Sequence, residues 1–134
     1  MTAPGILVIY SDKSELEKVS AFLTEIFTEN HLSFSSFNKV LLCVSEAVIN
    51  SIEHGNQNDR NKLVTIKITC EPSLIHVQIQ DEGKGFNFSN IENPILTKNL
   101  KKESGRGIYI IKSLSDSLIY NEKGNEIQLK IECK

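Results

Sequence analysis

Residues 63–80 alternate apolar and polar side chains in two successive runs, and this pattern constrains the fold more than any other feature of the chain. Val64, Ile66, Ile68 and Cys70 alternate with Thr65, Lys67 and Thr69, and Ile75, Val77 and Ile79 alternate with His76, Gln78 and Gln80. A period of two puts each apolar set on one face of a strand. Pro72 and Ser73 lie between the runs. The pair therefore reads as an antiparallel hairpin with one wet face and one face that needs a cover. Residues 118–122 and 126–133 read as a second hairpin, turning at Lys123-Gly124-Asn125. Residues 5–10, apolar and rich in β-branched side chains, predict a further strand.

Helices supply the cover. Leu16, Val19, Phe22, Leu23, Ile26 and Phe27 recur at helical spacing behind Asp12 and Glu15, which resemble a capping box. A second helix is predicted from Ser35 or Ser36 to about His54, stopped by Gly55, with Phe37, Leu41, Val44, Val48 and Ile52 as its core stripe. Residues 55–61 have pure loop chemistry. Residues 108–114 read as a third helix that begins at Gly105-Arg106-Gly107. The order β-α-α-β-β-loop-α-β-β predicts an α+β two-layer sandwich, with helices on one face of a mixed, mainly antiparallel sheet. A length of 134 residues suits one domain spanning 1–134.

Charge and cysteine usage narrow the partners. A net charge of −2 implies no general attraction to nucleic acid or an anionic membrane. The apolar runs are far short of a membrane span, and residues 1–11 do not read as a signal peptide. Cys43, Cys70 and Cys133 are widely spaced, without metal-ligand spacing, and each sits among apolar residues. They read as reduced, packed thiols of a cytoplasmic protein.

Three clusters carry residues suited to chemistry. On the second helix, Glu46 and Asn50 are four apart and so lie one turn above the other, almost opposite the core stripe. Such a pair is either a solvated polar face or, bordered by Leu42, Cys43 and Ile49, the wall of a pocket. Asp81-Glu82-Gly83-Lys84-Gly85 directly follows a strand. It is either a glycine turn or a place where the backbone approaches a ligand closely. A carboxylate at Asp81 could accept from the exocyclic amine of adenine and would repel the oxygen that guanine carries there. Ser104-Gly105-Arg106-Gly107 opens a helix. It reads as a hinge or as a phosphate seat built from free N–H groups and the helix dipole. Between the last two clusters, residues 86–104 show little periodicity, which suits a lid; Ile91, Ile95, Leu96 and Leu100 could pack it down.

In order, the clusters resemble the nucleotide-binding boxes of the histidine kinase-like ATPase superfamily, which has the Bergerat ATP-binding fold. Glu46 to Gly55 resembles the N box, Asp81 to Phe86 the first glycine box, and Gly105 to Ile108 the second. Within the superfamily the form Ser45-Glu46-Ala47-Val48-x-Asn50 and the stand-alone domain resemble anti-sigma-factor serine/threonine kinases.

The resemblance implies that the chain binds ATP and Mg²⁺, phosphorylates an anti-anti-sigma protein, sequesters a sigma factor and forms a homodimer. It implies Glu46 as general base, Asn50 as the Mg²⁺ ligand and Asp81 as the adenine reader. Gly83, Gly85, Gly105 and Gly107 would shape the pocket. Lys98, in Leu96-Thr97-Lys98-Asn99, and Arg106 would meet phosphate; Arg106 also reads as a protein-substrate contact or a surface arginine. Asn99 stands where the family often has proline. Lys18 stands where relatives often carry a partner-contacting arginine, and it also reads as a solvated lysine. His54 ends the N box as a structural hydrogen-bonder. Two other functions stay open: a non-catalytic ATP-dependent partner switch, and a detached sensor-kinase ATPase domain.

Overall fold

The structure is a computed structural model and describes residues 4–83, 103–121 and 123–133. Five strands and three helices follow in the predicted order: β1 (Gly5–Tyr10), α1 (Leu16–Glu29), α2 (Phe37–Asn50), β2 (Leu63–Glu71), β3 (Leu74–Gln80), α3 (Glu103–Leu114), β4 (Ser117–Tyr120) and β5 (Glu126–Glu132). The sheet order is β1-β2-β3-β5-β4, and every pairing in it is antiparallel. The expected mainly antiparallel sheet is there, and among the described residues it holds no parallel pairing, for a topological reason. β3 and β4 run the same way, but β5 inserts between them and pairs antiparallel with both.

The alternation of β2 and β3 produces the burial it predicts. Val64, Ile66, Ile68, Ile75, Val77 and Ile79 are buried, while Thr65, Thr69, His76 and Gln78 on the other face are half-buried and Lys67 is exposed. Ile127, Leu129 and Ile131 of β5 continue the apolar face. Against it pack Val19, Leu23, Ile26 and Phe27 of α1, Val40, Cys43, Val44, Ala47 and Val48 of α2, and Ile108 and Ile111 of α3, in one continuous core. Burying each such aliphatic side chain stabilises by about 1.5–3 kcal/mol before entropy is counted. Among the described residues no helix is long and apolar enough to cross a membrane.

Two local expectations are corrected. Asp12 accepts from the Ser14 N–H at 2.9 Å, as a cap should. Glu15, however, reaches the Tyr10 N–H at 3.2 Å rather than that of the cap residue. The Asp12 N–H is already bonded to the Tyr10 carbonyl at 2.9 Å. The core stripe of α2 is also shifted. Phe37 and Leu41 are only half-buried, and Val40, Cys43 and Ala47 are buried instead. α2 packs on α1 and on α3, so it hides two flanks rather than one stripe.

Candidate functional site

The second flank of α2 is where Glu46 and Asn50 lie, and it faces α3 rather than solvent. Glu46 is half-buried. Gly107 of α3 comes so close that a Cβ placed on it would stand 3.1 Å from Glu46 Oε2. Asn50, the last residue of α2, is buried, with 4 % of its surface exposed. Its Nδ2 donates to the Tyr120 hydroxyl of β4 at 3.1 Å. Its Oδ1 is buried and has no hydrogen-bond partner among the described residues. An acceptor left this way forfeits about 1–3 kcal/mol, so its presence points to a ligand.

Beyond Asn50 the chain makes a π-helical turn, Ser51–Gly55, of the kind that often marks functional sites. The turn brings Gly55 against Asp81, where any Cβ would collide with the Asp81 carboxylate. Asp81 follows β3 directly, is 5 % exposed, and accepts from the Gly83 N–H at 2.8 Å through Oδ1. Burial pushes its carboxyl above the usual range, opposed by the Gly83 hydrogen bond and the charge of Lys62. Gly83 in turn lies on the Gly55 carbonyl, which leaves no room for a side chain. The N-box helix and the first glycine turn are thus in direct backbone contact.

Three contributors escaped the sequence reading. Tyr120 connects the clusters: it holds Asn50, and its hydroxyl is pushed well above the ordinary phenol range by burial first and by the Asp81 charge second. Gly55, which the sequence offers as a helix stop and the last residue of the N-box resemblance, makes a close contact with Asp81 that neither reading implies. Asn56, fully buried, ties the site to the sheet. Its Nδ2 donates to Ser11 Oγ at 2.8 Å and to the Leu63 carbonyl at 3.0 Å, and its Oδ1 accepts from the Glu82 N–H at 2.8 Å. An asparagine directly after the helix-stop glycine was the available signal, masked by the polar loop around it.

The remaining predicted residues fall as follows. α3 begins at Glu103, so Gly105, Arg106 and Gly107 lie inside its first turns rather than ahead of it. Helix geometry then directs the Gly107 N–H to the carbonyl four residues back. Gly85 and Lys98, with the lid segment, lie outside the described residues. His54 is exposed. Lys18 is exposed and paired at 2.8 Å with Glu15, the residue that caps its helix.

A helical carboxylate and amide, a buried aspartate beside packed glycines, and a glycine-bearing helix over them all meet at one end of the sheet. The histidine kinase-like ATPase domain matches residues 9–131 of the chain. The chain belongs to the histidine kinase-like ATPase family. An anti-sigma F factor of Geobacillus thermodenitrificans is 30% identical over 131 residues, covering 90% of this chain and 87% of that protein. One from Geobacillus sp. strain WCH70 is 32% identical over 117 residues, covering 84% and 77%. One from Clostridium botulinum is 28% identical over 136 residues, covering 91% and 95%. Among solved structures, that of the RsbU and RsbW domains of Rv1364c from Mycobacterium tuberculosis superposes with a TM-score of 0.66 at 15% identity. It covers 97% of this chain, and this chain spans 31% of that one; the likeness is one of fold.

Proposed function

We propose that the chain is an ATP-binding anti-sigma-factor kinase of the serine/threonine type. It phosphorylates a small anti-anti-sigma protein and, in its other state, holds a sigma factor in the cytoplasm. The observation that carries the proposal is the convergence around Asn50: a buried amide oxygen without a partner, one hydrogen bond from Tyr120, which itself feels Asp81. Similarity to proteins named anti-sigma F factor supports the branch.

In this reading Asp81 accepts from the adenine amine, held in place by the Gly83 N–H. Gly83, Gly85, Gly105 and Gly107 keep the walls of the pocket free of side chains. Lys98 and Arg106 meet the phosphates. Glu46 takes the proton from the attacking serine hydroxyl. Asn50 Oδ1 is a hard, buried oxygen of the kind Mg²⁺ selects, so Asn50 would hold the metal. A metal held there would supply charge neutralisation for the nucleotide's phosphates.

Homodimerisation belongs to the same proposal. β1 is an edge strand that shows Ile6, Val8 and Tyr10 to solvent. It carries no charged residue. Two copies can therefore pair along it about a two-fold axis without like-charge contact. Sedimentation of the wild type and of Val8→Lys tests this, with the variant expected as the smaller species.

The enzymatic test is labelled ATP, Mg²⁺ and the antagonist protein, with the wild type and Glu46→Gln. Acid-stable phosphoserine is expected from the wild type. None is expected from the variant, whose ATP binding stays intact. ATP binding by the wild type without any phosphoserine rejects the kinase and favours a non-catalytic switch. Acid-labile phosphoprotein favours a detached histidine-kinase ATPase domain.

A further inference from the structure

An asparagine amide has two ends of similar size and opposite chemistry, and a half-turn about its last bond exchanges them. Only the oxygen end can serve a cation; the NH₂ end repels it. A site that uses such an amide is therefore better held when a second group occupies the NH₂ end and leaves the oxygen to the ligand.

We propose that Tyr120 is that group, a positioning residue whose hydroxyl takes up the Nδ2 end of Asn50 and so leaves Oδ1 as the end offered to a metal–phosphate ligand. Nδ2 donates to Tyr120 Oη at 3.1 Å, and Oδ1 is buried with no partner among the described residues. Tyr120 is held independently of α2. Its backbone stands opposite Ile127 in the β4–β5 ladder, and its ring packs on the core. The support matters because the helix carrying Asn50 changes geometry at the next residue, where the Ser51–Gly55 turn begins. A partner anchored on the sheet fixes the amide across that discontinuity.

The proposal rests on Asn50 as the Mg²⁺ ligand, and the experiment separates the two ideas. ATP affinity is measured by calorimetry with Mg²⁺ and with EDTA, on the wild type, Tyr120→Phe, Asn50→Ala and the double variant. Tyr120→Phe should lose about tenfold or more of the Mg²⁺-supported affinity, as outer-shell substitutions do. Its affinity in EDTA should be unchanged. Asn50→Ala should lose at least as much, and the double variant no more than Asn50→Ala alone.

Tyr120→Phe with full Mg²⁺ support overturns the proposal, as do equal losses with and without Mg²⁺, which mark a merely structural residue. A wild type whose ATP affinity ignores Mg²⁺ brings down the reading of Asn50 itself, and the proposal with it. If Tyr120→Phe fails to fold, proton exchange of the Asn50 side-chain amide in the wild type decides. Protection of Nδ2 supports the proposal, and rapid exchange overturns it.

Discussion

Gly83→Ala puts a methyl group against backbone that cannot turn away. The added Cβ would collide with the Gly55 carbonyl oxygen and stand 2.5 Å from its carbon and 2.9 Å from Asp81 Oδ1. The loop after β3 must then lift off the Ser51–Gly55 turn. Overpacking of this kind costs about 1–3 kcal/mol. Lifting the loop also breaks the 2.8 Å bond from Gly83 N–H to Asp81, a bond to a charged group worth about 1.5–3 kcal/mol. The total is roughly 3–6 kcal/mol. At about 4 °C per kcal/mol for a domain of this size, the melting temperature should fall by about 12–24 °C. Gly107→Ala is the control. Its Cβ would stand 3.1 Å from the end of the Glu46 side chain, a contact relieved by a shift of a few tenths of an ångström, and alanine favours the helix by about 1 kcal/mol. Its melting temperature should stay within about 4 °C of wild type. The assay is thermal unfolding followed by circular dichroism, without nucleotide, in one buffer. A Gly83→Ala protein that melts with the wild type, or a Gly107→Ala protein that falls further than Gly83→Ala, refutes the packing argument.

Two further expectations follow from titrating groups. Burial raises the Asp81 carboxyl above 3.8, so its contribution to stability is fully present below that pH and is lost as pH rises through the higher folded value. Asp81→Asn should therefore gain relative to wild type, without nucleotide, as pH rises from 3.8 towards neutrality; pH-scanned thermal melts that show the opposite slope reject the assignment. Cys43 and Cys70 are buried and pushed up to about 11 by that burial, and Cys133 is buried and raised as well. A thiol reagent at pH 8 should leave all three unreacted until denaturant is added, and prompt reaction of the native protein contradicts the packing.

The elements were legible in the sequence because each is written in its own local period. Val64 to Ile79 carry a period of two and Leu16 to Phe27 a period near 3.6, and both needed only neighbours to be read. What failed depended on distant segments. Glu46 and Asn50 stay open between a solvated face and a pocket wall, because one helix viewed alone shows one stripe. α3, half the chain away, comes down on that flank at Glu46, and the buried Asn50 meets Tyr120 of β4. The mainly antiparallel sheet is legible from its hairpins, whereas the insertion of β5 between β3 and β4, which makes every described pairing antiparallel, is a matter of strand order that no local pattern encodes. The start of α3 was placed late because Gly105 and Gly107 are poor helix formers that only tertiary packing keeps in a helix. Tyr120 reads locally as one more strand aromatic; its role exists only once Asn50 and Asp81 are brought to it.

The measurement that bears most directly on the whole account is calorimetric titration of the wild type and Asp81→Asn with ATP and with GTP. The account requires ATP to bind the wild type, GTP to bind far more weakly, and Asp81→Asn to lose at least about tenfold in ATP affinity, more than 1.4 kcal/mol. Equal affinities for ATP and GTP, or ATP binding untouched by the substitution, would show that the buried carboxylate beside Gly55 and Gly83 does not read adenine.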